Sequence, residues 1–377
     1  MNDRLYLQED LISENESVFN YFLNNSDVVS YNDVKEITVF ENDMLSLIEK
    51  KNWGFYDILV CKTIFKKDTV SKTALVGSTS NVVDNLALYV TDYDKPLKLS
   101  GETKVFGDIK IPNGHSELAY INGKKGNALT LKGRQLKSKD KLPKINKTVD
   151  LNILGLPQLS FGTIDINNEK VLVNKFDELS KVIDLNGIAS LKEIKCKGNF
   201  ILHSINDLEI DSSAILNDVV IMAPVVKIAS GFRGNIQIIA TQKVIVEDNV
   251  SLMYPSSIYI KSDTDIASVE IKKNSTLIGG VVIDGNTYNN SLERKLYIDE
   301  DAGVIGNVYC YGSTQLKGSI IGSIYTDRFF LKTKASNYEN VILNGSINKE
   351  KLPDNFVELP LFNNSFNKKK YAVIKEL

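Results

Sequence analysis

The amino-acid sequence predicts a mainly β protein, a parallel β-solenoid (β-helix) preceded by a small α+β cap. The first observation is a short pattern that recurs along the chain: an apolar residue, any residue, and a second apolar residue. The second is its spacing, because copies begin at Leu208, Val226, Val244, Val269 and Leu296, which lie 18, 18, 25 and 27 residues apart. The third is the glycine, asparagine and aspartate between copies. Repeats of this length indicate stacked structural units.

The repeat length matches the geometry of one solenoid coil. Three strands of four or five residues with their turns need roughly 18–25 residues, and a longer spacing indicates a coil with a loop, such as residues 287–293. Alternation of apolar and polar positions leaves each coil with an inner face that only a neighbouring coil can bury. Small residues allow the chain to turn corners. The candidates are Gly234, Gly279, Gly280, Gly303, Gly306, Gly312, Gly318 and Gly322.

Residues 1–87 are predicted to form the cap. Apolar residues at helical spacing predict an amphipathic helix over residues 5–24, which Asn24-Asn25-Ser26-Asp27 would end. The other predicted elements of the cap are a strand at 36–40, one or two helical turns at 46–51, and a hairpin made by 55–65 and 73–76 around 66–68.

Residues 88–352 are predicted to form the solenoid, with an inserted region at about 114–190. Within the insert, Phe176 to Ile183 predicts a helix because its apolar residues share one helical face. Residues 149–153 and 171–173 predict strands. Residues 353–377 are predicted to be a capping tail that folds over the last coil, since an open sheet end would pair with other molecules.

Charge and composition limit the classes of partner. The 377 residues include 45 basic and 47 acidic side chains, a net charge of −2, which predicts that the chain does not bind nucleic acid. The lysines between Lys124 and Lys147 are interpreted as a solvated loop, and Lys368-Lys369-Lys370 in the same way. Cys61, Cys196 and Cys310 lack a CxxC spacing, so we expect buried free thiols rather than a zinc site or disulfides.

The sequence contains no signal peptide and no apolar run of the roughly 18 residues that a spanning helix needs. Met1-Asn2-Asp3-Arg4 leads directly into the amphipathic segment. Two interpretations stay open: a cytoplasmic protein that starts at Met1, or an envelope protein whose membrane anchor lies upstream of residue 1.

No residue pattern predicts a catalytic, cofactor or metal site. His115 follows a turn and His203 lies in an apolar run, so the former is expected in solvent and the latter in the core. The acidic clusters Asp299-Glu300-Asp301 and Asp263 with Asp265 fall where coils turn, where aspartate serves local hydrogen bonding. They are also the candidates for a carbohydrate-active or calcium site.

Two further motifs are interpreted structurally. The glycines Gly231, Gly234, Gly279 and Gly280 do not join a strand to a helix, so we expect corner positions rather than phosphate-binding loops. The aromatic run Trp53-Gly54-Phe55-Tyr56 is expected to pack in the core of the cap.

Two segments resemble the coils of bactofilins, the bacterial polymer-forming β-helical proteins. They are Leu97-Lys98-Leu99 with Val105-Phe106-Gly107-Asp108-Ile109-Lys110-Ile111, and Leu296-Tyr297-Ile298 with Val304-Ile305-Gly306-Asn307-Val308. The resemblance rests on the Gly-Asp or Gly-Asn step, covers the coils alone, and implies a polymer-forming β-helix. The large cap, the insert and the longer coils depart from that family and would hinder end-to-end polymerisation.

The order of elements also resembles uncharacterised single-pass envelope proteins of Gram-negative bacteria, in which a membrane helix would precede residue 1. Neither resemblance implies functional residues. The first hypothesis is therefore a non-enzymatic structural or binding protein of the bacterial cell envelope, periplasmic or at the surface, with a protein or polysaccharide partner. The alternatives are a carbohydrate-active β-helix enzyme and a bactofilin-like cytoskeletal polymer.

Overall fold

The computed structural model describes residues 2–40, 43–79, 85–127, 131–147, 149, 152–164, 171–262, 266–285, 293–334, 336–362 and 370–377. In this part the chain is mainly β, with an N-terminal helix and many parallel strands. The predicted loop at 287–293 lies almost wholly outside the described residues.

The N-terminal elements form an antiparallel sheet with one helix packed on it. They are α1 (Asn2–Asn24), β1 (Val34–Glu36), β2 (Leu45–Trp53), β3 (Tyr56–Phe65) and β4 (Asp68–Thr79). The helix and the hairpin around residues 66–68 are confirmed. Val18, Phe19 and Phe22 of the helix are buried against the sheet, whereas Ile12 is 51% exposed.

The prediction of helical turns at residues 46–51 is wrong, because these residues lie within β2. Buried and half-buried side chains alternate along β2, with Ser46 and Ile48 buried. This two-residue period is that of a strand paired along its length with β3. The predicted strand at 36–40 is displaced, since β1 ends at Glu36.

The chain then forms a long parallel sheet. Its first part contains β5 (Leu86–Val90), β6 (Leu97–Ser100), β7 (Lys104–Phe106), β8 (Asp108–Ile111), β9 (Ser116–Leu118), β10 (Tyr120–Ile121), β11 (Lys124–Lys125), β12 (Leu131–Lys132) and β13 (Gln135–Lys137). Of these, β10 and β11 form a separate hairpin, and β6 and β9 a small sheet with a later strand.

The second part of the chain supplies the remaining strands up to residue 348, which pair in parallel except for β29, antiparallel to β28. They are β14 (Gln158–Ser160), β15 (Leu172–Asn174), β16 (Lys181–Asp184), β17 (Ser190–Leu191), β18 (Lys195–Gly198), β19 (Phe200–His203), β20 (Leu208–Ile210), β21 (Ile215–Ile228), β22 (Arg233–Val246), β23 (Ser251–Ser262), β24 (Ala267–Ile271), β25 (Thr276–Gly285), β26 (Arg294–Ile298), β27 (Gly303–Leu316), β28 (Ser319–Lys332), β29 (Asn337–Glu339), β30 (Val341–Leu343) and β31 (Ser346–Asn348).

The repeats found in the sequence lie on top of one another. Leu208 pairs with Val226, Val226 with Val244, Val244 with Val269, and Val269 with Leu296. All five side chains are buried in one apolar cluster. We call this column of strands (β20, β21, β22, β24, β26 and β27) the repeat ladder. The predicted stacking of these five repeats is thus confirmed, and their register is direct.

A second column, the long ladder, shows the spatial order of the strands. From one end to the other it consists of β14, β16, β19, β21, β22, β23, β25, β27, β28, β5, β8 and β13. The first strand of the sheet in the chain, β5, therefore lies beside β28, the strand that ends at Lys332. At ~4.8 Å per step the column is about 53 Å long.

The region at 114–190 was predicted as an insert, but it supplies both ends of the parallel sheet. β12 and β13 extend one end, and β14 to β17 begin the other. The prediction of a helix at 176–183 is wrong, since Lys181–Asp184 is strand β16. Val182 faces the outside of the ladder and Ile183 the interior, so successive side chains point to opposite faces, as in a strand.

The N-terminal sheet packs against the flank of the long ladder. Trp53, Phe55 and Tyr56 share an apolar cluster with outward-facing residues of the ladder, and the Phe55 ring lies 5.3 Å from that of Tyr259. The tail joins this sheet through β32 (Val357–Glu358) and β33 (Tyr371–Glu376), which pair antiparallel with β4. The tail therefore completes the N-terminal sheet instead of folding over a last coil.

A line of glycines marks the corner between two columns of the parallel sheet. Gly279, Gly306 and Gly322 have φ angles of +139°, +126° and +142°. A Cβ on Gly306 would lie 2.0 Å from the carbonyl oxygen of Gly279 in the neighbouring repeat. The corner thus requires glycine both for the backbone conformation and for the close approach.

Candidate binding surfaces

The two histidines are too far apart to act together. His203 ends β19, and His115 follows β8, eight steps away along the long ladder. Eight steps correspond to about 38 Å. The His115 ring is exposed, with Nδ1 3.3 Å from the carbonyl oxygen of Asn113. His203 is half-buried.

The acidic run Asp299-Glu300-Asp301 lies in the turn after β26. Its first two carboxylates are close to different lysines: Asp299 lies 3.9 Å from Lys317 Nζ, and Glu300 lies 3.5 Å from Lys273 Nζ. Asp301 has φ +60°, as turn residues often do. In the described part of the chain, no three His, Cys, Asp or Glu residues converge to hold a metal ion. Asp263 and Asp265 lie outside the described residues.

Ion pairs run along the outer side of the repeat ladder. Lys227 Nζ lies 2.8 Å from Glu209 and 3.9 Å from Glu247, both on neighbouring repeats. Lys243 and Glu270 are 2.6 Å apart, and Lys272 and Glu247 are 2.7 Å apart. Each of these carboxylates therefore has a cationic neighbour on an adjacent repeat, and the charges of the named residues largely cancel.

The cysteines and the aromatic run have the structural roles that the sequence predicts. Cys61, Cys196 and Cys310 are buried and free, and burial raises the pKa of each thiol to about 12. Trp53 packs edge-on against Phe176, with ring centroids 4.9 Å apart. Of the four glycines weighed for phosphate binding, Gly279 lies at the corner described above.

A buried charge cluster joins four separate segments of the chain. The Lys147 amine donates to Asp57 Oδ1 at 2.6 Å and to the Tyr56 carbonyl at 3.0 Å. The hydroxyls of Tyr31 and Tyr371 donate to Asp57 Oδ2 at 3.2 and 2.6 Å. The Lys147 side chain is only 3% exposed, so the interpretation of a solvated lysine loop is wrong at this residue. Burial lowers the pKa of Lys147, and the Asp57 carboxylate opposes that shift.

A groove of about 560 Å³ lies between the N-terminal sheet and the parallel sheet. Lys375 of β33 pairs across it with Asp218 of β21, and Phe176 forms part of its apolar wall. The side-chain oxygen of Asn174, buried beside the groove, has no hydrogen-bond partner among the residues that the structure describes. Its other ionisable lining residues carry both signs of charge: Lys175, Lys197, Asp177 and Glu376.

One end of the parallel sheet is strongly basic. Residues 97–141, which contain β6 to β13, carry ten basic and four acidic side chains, a net charge of +6 in a chain of net charge −2. Lys132, Arg134 and Lys137 are exposed there, with side-chain exposures of 70%, 75% and 66%, and they are ion-paired with Glu350, Asp108 and Asp92 respectively. The whole-chain charge therefore does not represent this end of the molecule.

A lysine-lined cleft of about 670 Å³ adjoins the basic end. Lys317, Lys332 and Lys334 line it, and Leu331 forms part of its floor. The hairpin β10–β11 borders it, since Ile121 packs with Leu331 and Val341 while Asn122 lines the cleft. We call it the lysine cleft. Sequence reasoning missed it because Lys317 lies 15 residues before Lys332, and Asn122 and Glu300 come from other parts of the chain, so the lining residues meet only after folding.

Among the described residues, no helix has the length and apolar character needed to cross a membrane. Comparisons with models of known protein families, with curated proteins and with solved structures found no match to this chain.

Proposed function

We propose that the parallel strands form a β-solenoid and that the chain is a non-enzymatic structural or binding protein of a bacterial cell envelope. The direct register of five successive repeats supports the solenoid. So does the apolar cluster that runs through the repeats, because a stack of coils encloses a continuous core of this kind.

The observation that carries the non-enzymatic role is the ladder of ion pairs along the repeats. Glycoside hydrolysis uses two carboxyl groups about 5–10 Å apart, one held protonated and one ionised. Glu209, Glu247 and Glu270 instead each lie within 4 Å of a lysine amine. These carboxylates therefore join neighbouring repeats in ion pairs and do not form the pair of free carboxyl groups that a glycosidase directs at its substrate.

Cleavage assays test this role. Purified chain would be incubated with a panel of neutral and acidic polysaccharides, and new reducing ends and unsaturated products would be measured. We expect no product above the level of heat-denatured chain. Product that forms with intact chain and disappears after denaturation would contradict the proposal.

Fractionation of the producing bacterium tests the compartment. With an epitope tag placed after Leu377, we expect the protein in the envelope fraction, separated from a cytosolic marker enzyme. Complete recovery with the cytosolic marker would contradict the envelope assignment.

A second candidate, an end-to-end polymer, is favoured by the sheet ends. Within the described residues β13 pairs only with β8, and β14 only with β16, so both ends of the long ladder present a strand edge. The N-terminal sheet packs on the flank of the long ladder and not over either of its ends. It therefore gives no reason to expect that the cap blocks end-to-end polymerisation. Multi-angle light scattering at increasing concentration tests this candidate, and a constant monomer mass would exclude it.

A further inference from the structure

We infer that the lysine cleft binds an acidic polysaccharide, a polymer that carries carboxylates on its sugar rings. This inference deepens the proposed binding role and rests on it.

Two of the cleft lysines have no carboxylate partner among the described residues. In the described part of the chain, no carboxylate lies within 4.0 Å of the amines of Lys332 or Lys334. The third, Lys317, lies at 3.9 Å from Asp299, the outer limit of an ion pair. The one acidic residue of the lining, Glu300, is paired with Lys273 at 3.5 Å. The cleft thus presents excess positive charge to a ligand.

The electrostatic field extends beyond the cleft. Lys124 and Lys125 are exposed on the bordering hairpin, whereas the exposed Lys132 and Arg134 beyond it are ion-paired with Glu350 and Asp108. The two hairpin lysines continue the positive charge past a single cavity, which suits a polymer better than a small anion. Attraction of this kind raises the local concentration of a polyanion and is weakened by salt.

The other lining groups favour sugar over nucleic acid. Asn122 and Asn344 present amide groups to the cleft, and Asn344 is held by the backbone N–H of Glu102 at 3.1 Å. Amides form hydrogen bonds with hydroxyl groups as donors and acceptors. None of the described residues that line the cleft is aromatic, so it offers no platform on which bases could stack.

The test compares binding of the full chain to polygalacturonate, to neutral dextran, and to double-stranded DNA and polyphosphate at the same ionic strength. The variant Lys332→Glu/Lys334→Glu reverses the two unpaired charges. The matched control Lys62→Glu/Lys67→Glu makes the same charge change at exposed lysines of the N-terminal sheet. Both pairs are exposed, so we expect both variants to fold, with circular dichroism as the check.

We expect polygalacturonate to bind, dextran not to bind, and the cleft variant to lose at least tenfold in affinity while the control changes less than twofold. Lys332→Arg/Lys334→Arg should retain binding. Unchanged affinity in the cleft variant would overturn the inference, as would tighter binding of DNA or polyphosphate than of polygalacturonate. Reducing ends measured in the same samples distinguish the binding site from the non-enzymatic role. Cleavage of the polysaccharide would refute the non-enzymatic role alone. Equal affinity of the cleft variant and the unmodified chain would refute the site alone.

Discussion

At the scale of single residues, the buried pair of Lys147 and Asp57 is expected to affect stability strongly when one partner is removed. Asp57 is fully buried and accepts hydrogen bonds from two tyrosines as well as from Lys147. A buried ion pair adds little compared with apolar residues, but removal of one partner leaves a charge without compensation in the interior.

We therefore expect Lys147→Met to lower the free energy of unfolding by about 3–5 kcal/mol, measured by urea denaturation. Lys144→Met, an exposed lysine of the same segment, should change it by less than about 0.5 kcal/mol. Asp57→Asn/Lys147→Met should be more stable than Lys147→Met alone, because the double variant contains no unpaired charge. Equal effects at residues 144 and 147 would show that the pair is not buried in solution.

The three buried thiols make stability depend on alkaline pH. The pKa of each is raised to about 12 in the folded protein, whereas an unfolded cysteine ionises near 8.5. Between these values the unfolded chain has lost protons that the folded chain retains, so the free energy of unfolding falls as pH rises.

We expect the free energy of unfolding to fall by roughly 5 kcal/mol between pH 8 and pH 10, most of it from the three thiols. A variant with Cys61, Cys196 and Cys310 replaced by alanine should show a much smaller fall, although its absolute stability is lower. Urea denaturation at the two pH values measures both. An identical pH dependence in the variant would mean that the thiols are not the cause.

At the scale of elements, the segment between β13 and β14 connects opposite ends of the parallel sheet. These strands are the two terminal members of the long ladder, and about 20 residues span the distance between them. Leu142 and Ile145 are buried in the cluster between the N-terminal sheet and the ladder, at 7% exposure each. The segment therefore acts as a packed element, which the lysines and prolines of its sequence do not indicate.

We expect Leu142→Ala and Ile145→Ala each to lower the free energy of unfolding by about 2–4 kcal/mol, the usual cost of truncating a buried aliphatic side chain. Leu154→Ala removes the same atoms from a side chain that is 83% exposed and should cost less than about 0.5 kcal/mol. Thermal or urea unfolding compares the three variants. If residue 142 behaved like residue 154, the segment would be a solvated loop after all.

At the scale of the whole molecule, the order of strands in space differs from their order in the chain. β31, which ends at Asn348, pairs with β7, which begins at Lys104, and β28 pairs with β5. The last strands of the parallel sheet in the chain thus lie beside its first strands. Sequential stacking of coils would instead separate these strands by the length of the stack.

A designed disulfide tests this order. Ser346 and Lys104 are direct partners in adjacent parallel strands, so Ser346→Cys/Lys104→Cys should form a disulfide on mild oxidation, because the Cα atoms lie within bridging distance. Ser346→Cys/Ser251→Cys is the control, since four strand steps, about 19 Å, separate its members. Mass spectrometry of the non-reduced protein distinguishes the outcomes. A disulfide in the control alone would refute the spatial order.

Much of the parallel sheet follows from local sequence patterns. The start of each repeat could be found in the sequence because alternation and corner residues depend on a few neighbouring residues only. Each repeat also begins with the same apolar pattern, so the copies could be aligned with one another. For the same reason the hairpin of β3 and β4 could be placed. The prediction of a helix at 176–183 was wrong because the same apolar residues are also compatible with a strand that is buried on both faces. The segment forms a strand because β16 pairs with β14 and β19, which lie elsewhere in the sequence.

Local sequence patterns were sufficient to predict that the chain is mainly β, where its repeats begin, and that its cysteines are buried. The packing of the folded chain was needed to show that the terminal segments share one sheet on the flank, that Lys147 is an interior residue, and that Lys317, Lys332 and Lys334 line one cleft. The reason is physical. Periodicity reports which way a side chain points relative to its near neighbours, whereas contacts between residues hundreds of positions apart depend on how the completed elements pack.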